Sequence, residues 1–349
     1  MTAVVSLNTT CLISVSPRIS KTEVAMKSRA EMVTLVQSKV RLLHYAMGTE
    51  DAYCGWIARY YDFCNGLPTN LSPEQKAERF LTELAVRQRL SARTQNQAFA
   101  ALLFLYKQVL GRPLQGIDAL RAKQPRRERT SPSREQIRLF RSAVEDTVAT
   151  PAKLIVDLLY GCGLRVSEPL ELRVKDVLWG DGDTGHLLLR GAKGGKDRRV
   201  PVPRSCTGAL RRQMEFARSV WDWDRTNAPE FGVTLPYALS TKYPRAPFQW
   251  QWFWVFPAQS HCVDPRSGKH VRFHLLHDNI QRSVQRAAIK VGLDGLITPH
   301  VLRHAYATHS REPIESLRQL LGHSSIETTA GYIHPVVDRA SNPLDDLLR

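Results

Sequence analysis

Residues 322–335 read GHSSIETTAGYIHP: a glycine and a histidine, two adjacent threonines, then a tyrosine nine positions after the histidine. Tyr332 closes a helix-sized segment and has two readings. It can pack against a core, as a tyrosine in a lone motif match usually does, or its phenol can serve as a nucleophile. The residues upstream and the charge of the whole chain separate the two.

The chain has 349 residues, enough for two domains with a core each. Hydrophobic residues make up 43% and aromatics 8%, ordinary values for a soluble globular protein. No apolar run is long enough to cross a bilayer, the longest cluster being ALLFLY at 101–106. Residues 1–27 scatter valines and leucines without a basic stretch leading into an apolar one, so they read as a flexible leader rather than a secretory signal. Either Met1 or Met26 can be the start. Six cysteines (Cys11, Cys54, Cys64, Cys162, Cys206 and Cys262) contain no C-x-x-C pair, the pattern of free thiols in a reducing cytosol. The net charge of +16 calls for a polyanionic partner, because each cation that neutralises a phosphate releases a condensed counterion. Charge alone favours nucleic acid only modestly over acidic membranes or ribosomes.

Residues 28–117 read as four helices. RAEMVTLVQSKVRLLHYA has apolar residues at helical spacing, and Thr49 is an N-cap candidate for EDAYCGWIARYYDFC. Ser72, Pro73 and Gln75 form a capping-box signature, and Gly111 is a stop for SARTQNQAFAALLFLYKQVLG. Residues 118–135 change character: from 121 to 141 there are eight Arg or Lys against two Glu, with Pro125 and Pro132 as punctuation. This is a basic linker, a solvated hinge that can also lie along a phosphate backbone through Arg121, Lys123, Arg126 and Arg127. Residues 136–349 then mix helices with a hairpin, HLLLRGAKGGKDRRVPVP, and end on a short tail from 335. The fold class is mainly α with a small β-sheet.

Five basic side chains precede the tyrosine in order. Arg165 follows the glycine-rich turn of LLYGCGLRVSEPLEL, where Ser167 can cap and Pro169 falls in the first helical turn. Lys193 lies on the turn GAKGGKD. His300 and Arg303 stand at i, i+3 in TPHVLRHAYATH, on one helix face, and His323 opens the final segment. Two guanidiniums can fork onto the non-bridging oxygens of a phosphodiester; a lysine can protonate a leaving alkoxide; histidines near neutral pKa can move the nucleophile's proton. A tyrosine oxygen can then hold the phosphate as a covalent ester.

G-L-R-x-S-E, G-x-K-G-x-K-D-R, H-x-L-R-H-x-x-A-T-H, L-L-G-H-S and the tyrosine together resemble the tyrosine recombinase (phage integrase) family, over residues 28–349. The helical region HYA…TEDAYCGWIARY…SARTQNQAFAALLFLYKQVLG, and 235–266 (LPYALSTKYPRAPFQWQWFWVFPAQSHCVDPR), are most similar to integron integrases. The resemblance implies a SAM-like core-binding domain at 28–117 and a catalytic domain at 136–349 that together clamp DNA, with 235–266 an integron-type insert. It implies Arg165, Lys193, His300, Arg303 and His323 as the catalytic set, Tyr332 as nucleophile, and Glu168 as a support for Arg165. Lys196 competes with Lys193, which the resemblance favours. It further implies no cofactor and no metal, a 3′-phosphotyrosyl intermediate, a homotetramer on DNA formed from monomers in solution, and a cytoplasmic, nucleoid-associated enzyme of a bacterial mobile element. The tail SNPLDDLLR carries Leu344, Leu347 and Leu348 as an apolar stripe for a neighbouring protomer. A recombinase of the phage or Xer type acting on duplex sites, a weakened DNA-binding descendant, and a type IB topoisomerase, which would not need the segment 235–266, are the alternatives.

Two features invite plainer readings. His300, His304 and His309 have no carboxylate or cysteine at metal-ligand spacing, so His304 and His309 read as structural. FQWQWFWVF at 248–256 reads as a buried strand, at least through its final VF, or as rings such as Trp250 and Trp252 stacking on unpaired bases of a folded single-stranded site. Two departures from the family pattern stand out. The Arg303–His323 interval is shorter than is usual, with Pro313 available to break the helix. Gly331 costs the nucleophile's helix about 1 kcal/mol in propensity.

Overall fold

The computed structural model describes residues 28–117, 131–148, 150–181, 184–192, 196–236, 239–323 and 325–330. The leader, the linker residues Arg121, Lys123, Arg126 and Arg127, the hairpin-tip Lys193, and Gly331, Tyr332 and the tail lie outside the described residues. The chain divides into two compact units, Met1–Glu128 and Arg129–Arg349.

The first unit is helical. α1 (Arg29–Leu42) begins at a Ser28/Glu31 capping box, and α3 (Pro73–Thr82) at the expected Ser72/Gln75 box with Pro73 at its first position. α2 (Met47–Asn65) starts earlier than its sequence signal: Ala46 is the N-cap, so Thr49 lies inside the first turn. The acid beside it explains the shift. Glu50 is buried at 4% exposure and accepts from Gln37 Nε2 (3.0 Å) and Arg41 Nη2 (2.7 Å) on α1, so the first turn of α2 is held by a side-chain bridge rather than a hydroxyl cap. α4 (Ala92–Phe104), capped by Ser91, and α3 each run on into a five-residue π turn. After α4 the chain leaves through Gly111 at φ +63°, a conformation that suits glycine. Val36, Val40, Ile57, Phe80, Leu84 and Leu102 fill the core. Inside it the hydroxyls of Tyr60 and Tyr106 bond each other at 2.8 Å, and so satisfy two buried polar groups at once.

The second unit opens with α5 (Arg134–Ala143), whose capping box is Ser133/Gln136, and α6 (Ala152–Gly161). A short turn, α7 (Ser167–Leu170), leads to β1 (Val177–Trp179), β2 (Gly185–Ala192) and β3 (Lys196–Pro201), an antiparallel sheet in that order with an irregularity between Leu189 and Ala192. α8 (Arg204–Asn227) is the longest helix among the described residues. β4 (Gly232–Val233), α9 (Leu239–Lys242), β5 (Pro257–Val263) and β6 (His270–His274) follow, and the three strands form a second sheet in the order β4-β6-β5. α10 (His277–Lys290), α11 (Pro299–His309), α12 (Ile314–Leu321) and α13 (Ile326–Ala330) complete the described chain. No described helix is long and apolar enough to cross a membrane. Leu158, Leu159 and Leu164 share a core with Leu187, Leu210, Ile280 and Leu302, so α6 is buried between the first sheet and the later helices.

The aromatic run 248–256 is not a sheet strand. Ala246–Phe248 and Trp250–Trp252 are 3-10 turns, and the chain after them bonds to 172–174: Val174 N donates to Phe253 O (3.0 Å) and Val255 N to Leu172 O (2.9 Å). Val255 and Phe256 are buried as expected, at 0% and 1% exposure. The second sheet lies just beyond. It is closed by the turn DPRSGK, in which Asp264 accepts from the backbone N–H groups of Arg266 and Ser267 and Gly268 takes φ +67°.

α8, β5 and β6 are tied by one buried ion pair. Arg272 (3% exposed) donates from Nε to the fully buried Asp224 at 2.9 Å, and from Nη1 to the carbonyls of Ala258 (3.0 Å) and Gln259 (2.6 Å). Asp224→Ala leaves that guanidinium buried without its counter-charge. The expected loss is about 3–5 kcal/mol of unfolding free energy, measured by denaturant titration of the full chain.

Candidate active site

Gly163 makes the first corner. It takes φ +63°, and a Cβ there would meet the Tyr306 ring at 2.3 Å, so only glycine lets the turn after α6 press against α11. The next residue but one is Arg165. Its backbone N–H donates to Glu168 Oε2 and its Nη1 to Oε1, both at 2.8 Å. Glu168 therefore closes the turn that the sequence assigned to Ser167. Ser167 is the first residue of α7 and makes no capping bond; the carboxylate two atoms longer reaches back where the hydroxyl does not.

The second corner is the C-terminus of α12. Gly322 is left-handed at φ 63°, the helix end closes through Gly322 N to Gln319 O (3.0 Å) and His323 N to Arg318 O (3.1 Å), and the chain reverses so that His323 faces Arg303. Arg303 is 4% exposed. Its Nη1 donates to Gly163 O at 2.8 Å, and its Nη2 to Leu321 O and to His323 Nε2, the latter at 3.1 Å. Helix-terminal carbonyls carry partial negative charge, which suits a guanidinium. Because arginine only donates, His323 Nε2 accepts, and Nδ1 carries the proton toward Thr329 Oγ1 at 2.9 Å. Between Arg303 and His323 the chain breaks at 310–313, where Ser310 is extended and Pro313 is the N-cap of α12.

A third arginine, unassigned by the sequence reading, joins them. Arg198 on β3 donates from Nη2 to Glu168 Oε2 (2.7 Å) and from Nε to Leu320 O (2.8 Å). Arg303 Nη1 lies 3.7 Å from the same Oε2. Burial, the largest influence on the Glu168 carboxyl, raises its pKa; the bond and charge of Arg198, with the bonds from Arg165, outweigh it and hold the pKa below the usual value. Three guanidiniums thus surround one carboxylate, and the surplus positive charge suits an anion. The sequence signal for Arg198 was its place in K-D-R beside the glycine-rich turn, where strand alternation puts it on the same face as the buried Val200; nothing in the string predicted that it would meet Glu168.

His300 stands one turn before Arg303 on α11, exposed, with its ring edge-on to that of His304 at 4.2 Å. His304 is buried, and His309 Nδ1 bonds the Tyr160 hydroxyl at 3.0 Å, which fits the structural reading of both. Lys193 and Tyr332, the other two members of the set, fall outside the described residues.

Comparison with known proteins bears on this geometry. The family model "Phage integrase family" matches residues 133–339, and "Phage integrase, N-terminal SAM-like domain" matches 33–116. The chain belongs to the phage integrase family. These are the tyrosine recombinases, which cut and rejoin DNA. An "Integrase/recombinase" of Escherichia coli is 38% identical over 307 residues, spanning 86% of this chain and 88% of that one. "Tyrosine recombinase XerA" of Thermococcus kodakarensis is 31% identical over 294 residues, covering 82% and 84%. Among solved structures, the Tn1549 transposon integrase in complex with transposon right end DNA aligns with TM-score 0.58 at 17% identity, covering 91% of this chain and 99% of that one. XerH bound to palindromic difH substrate aligns at 0.56 and 18%, covering 92% and 84%. These two show a shared fold.

In this recombinase residues 242–252 build a further feature. Lys242, Tyr243, Pro244, Arg245, Ala246, Gln249 and Trp252 line an open pocket of about 470 Å³. Trp252 is half-buried with Lys175 Nζ over its ring at 2.8 Å, and Trp250 packs edge-on to Trp221 and stacks on Phe253. Burial pushes Lys175 down to about 8, with Arg190 and Arg173 acting the same way and Asp176 opposing. The segment is anchored from below by Arg173, which donates to Trp252 O (2.6 Å) and Thr234 O (2.7 Å) and lies over the Trp254 ring at 3.9 Å. Asp176 accepts from Arg173 N and from Arg190 Nε on β2.

Glu168→Gln removes the one anion among three guanidiniums, with an expected cost of about 3–5 kcal/mol in unfolding free energy. The sign with pH follows from the lowered carboxyl. Its contribution is complete above the unfolded value of about 4.3 and is lost as pH falls through the lower folded value. Unfolding titrations from neutral pH downward should therefore show an acid loss of stability in the wild type that is smaller in Glu168→Gln.

Proposed function

We propose that this chain is a site-specific recombinase that inserts and excises integron gene cassettes in a bacterial nucleoid, using Tyr332 as nucleophile. The observation that carries the chemistry is the convergence of Arg165, Arg303 and His323 around Glu168. Arg165 and Arg303 donate to the non-bridging oxygens of the scissile phosphate and keep their bonds to Glu168 and to the carbonyls of Gly163 and Leu321, while Arg303 Nη2 turns from His323 Nε2 to the phosphate and leaves that nitrogen free to accept a proton. The Tyr332 oxygen attacks phosphorus, the bond to the 5′-oxygen breaks, and the proton that oxygen gains comes from Lys193. The phenolic proton passes to a histidine, with His300 and His323 as the candidates. The product is a 3′-phosphotyrosyl ester and a 5′-hydroxyl. Attack of a partner strand's 5′-hydroxyl on that ester reverses the step on the new strand. The bond energy is kept, so no nucleotide is consumed, and the cations of the protein do the work asked elsewhere of a metal. Four protomers on two sites exchange the strands, with 341–349 docking between neighbours.

The cassette assignment rests on 235–266. Its pocket combines Tyr243 and Trp252 with Lys242 and Arg245, a stacking surface beside cations, which suits an extrahelical base on a folded single strand better than paired duplex. Likeness to XerA over most of both chains favours a second reading, recombination of duplex sites.

A nicked suicide substrate tests the chemistry. Wild type should trap a covalent adduct insensitive to EDTA, and Tyr332→Phe should trap none; absence of adduct in both would leave a DNA-binding protein without cleavage. A second comparison tests the substrate. Wild type should bind a folded cassette bottom strand more tightly than its duplex, and Tyr243→Ala should weaken the folded strand by about 1–3 kcal/mol with little effect on duplex. Equal affinity for both forms in the wild type would favour the Xer-type reading.

A further inference from the structure

We propose that Arg198 is a positioning residue for DNA cleavage, holding Glu168 and the end of α12 in one frame so that Arg165, Arg303 and His323 meet a phosphate together. This rests on the cleavage reading of the same site. Arg198 ties the two corners from a third element, beside Arg303, which bonds Gly163 O and Leu321 O, and Arg165, whose Nη2 donates to Gly322 O at 3.5 Å. From β3 it reaches Glu168 Oε2 at 2.7 Å, on the α7 turn, and Leu320 O at 2.8 Å, in the last turn of α12. Its side chain is 8% exposed, and the guanidinium lies against Gly322, where an added Cβ would stand 3.0 Å from Nη1 and 3.1 Å from Cδ. Two of its edges are thus committed to protein, and its role is through Glu168 rather than by touching DNA.

Glu168 is shared between both guanidiniums of the site. Oε1 receives Arg165, and Oε2 receives the Arg165 backbone and Arg198 with Arg303 at 3.7 Å. Without Arg198, Oε2 is drawn toward Arg303 and the fork on Arg165 turns with it. The carbonyl of Leu320 also loses its donor, at the helix end whose glycine sets the direction of His323. The corners then keep only the ties made by the two reacting guanidiniums themselves, Arg303 to Gly163 O and Leu321 O and Arg165 to Gly322 O, so the groups that must hold the phosphate also have to hold the frame. The bond and charge of the same side chain are what most lower the Glu168 pKa, against the burial that raises it. Its loss lets the carboxyl take up a proton at higher pH. A protonated Glu168 has one acceptor oxygen fewer for Arg165.

The experiment is single-turnover cleavage of the nicked substrate at saturating full-length protein, followed across pH, for wild type, Arg198→Met and Arg198→Lys, with DNA affinity measured in parallel. Arg198→Met should cleave about 100-fold more slowly while binding DNA within a few-fold of wild type, as misplacement of reacting groups by about 1 Å predicts. Its acid limb should move to higher pH. Arg198→Lys keeps the charge but cannot serve both acceptors at once, so it should restore the acid limb and recover only part of the rate. If Arg198→Met does not fold, Gly322→Ala, which crowds the same guanidinium from the other side, should show the rate loss with retained binding. Wild-type rate and pH profile in Arg198→Met would overturn the proposal. So would an equal loss at every pH that lysine does not relieve, the result of a merely structural arginine. Absence of adduct in the wild type would instead sink the cleavage reading itself.

Discussion

One carboxylate, Glu168, organises the second unit's chemistry. Three guanidiniums brought within a few ångströms repel each other, and none of them is fully exposed to water. Glu168 makes the cluster tolerable, while its single charge leaves the surplus unneutralised. A site that bonds its arginines from behind and leaves their sum positive is already arranged for an anion before any arrives. That preorganisation depends on backbone as much as on charge. Carbonyls of Gly163 and Leu321 take up Arg303, and both lie at or beside glycines in the left-handed region.

Much of the scaffold was legible in the string because its signals are local. Ser72 with Gln75 closed the box it announced, Gly111 turned the chain after α4, and the glycine-rich hairpin paired as read. The misreadings share a cause in tertiary contact. Thr49 lost its cap because Glu50 is wanted by Arg41 on another helix, and Ser167 lost its own because Glu168 reaches further. The run 248–256 has strand composition, yet it pairs only briefly with 172–174 and spends its tryptophans on turns around Arg173.

The site was legible as an order of residue types, and its geometry was not. Arg165, Arg303 and His323 carry motif signals, and the fold brings them together. Arg198 carries hardly any, since its partners lie 30 and 122 residues away in the chain. A long-range bond of that kind leaves no periodicity to find.

Arg173 has a bearing on how such a protein diversifies. Its guanidinium, buried enough to be pushed down to about 10, finds acceptors at Thr234 and Trp252, and the Trp254 ring covers it. The neighbouring Asp176 grips β2 through Arg190. The turns around Trp252 are therefore tied into the domain's interior and not hung from its surface. A chain without those turns would strand the Arg173 charge in a dry place, so any exchange of the segment has to carry a change at Arg173.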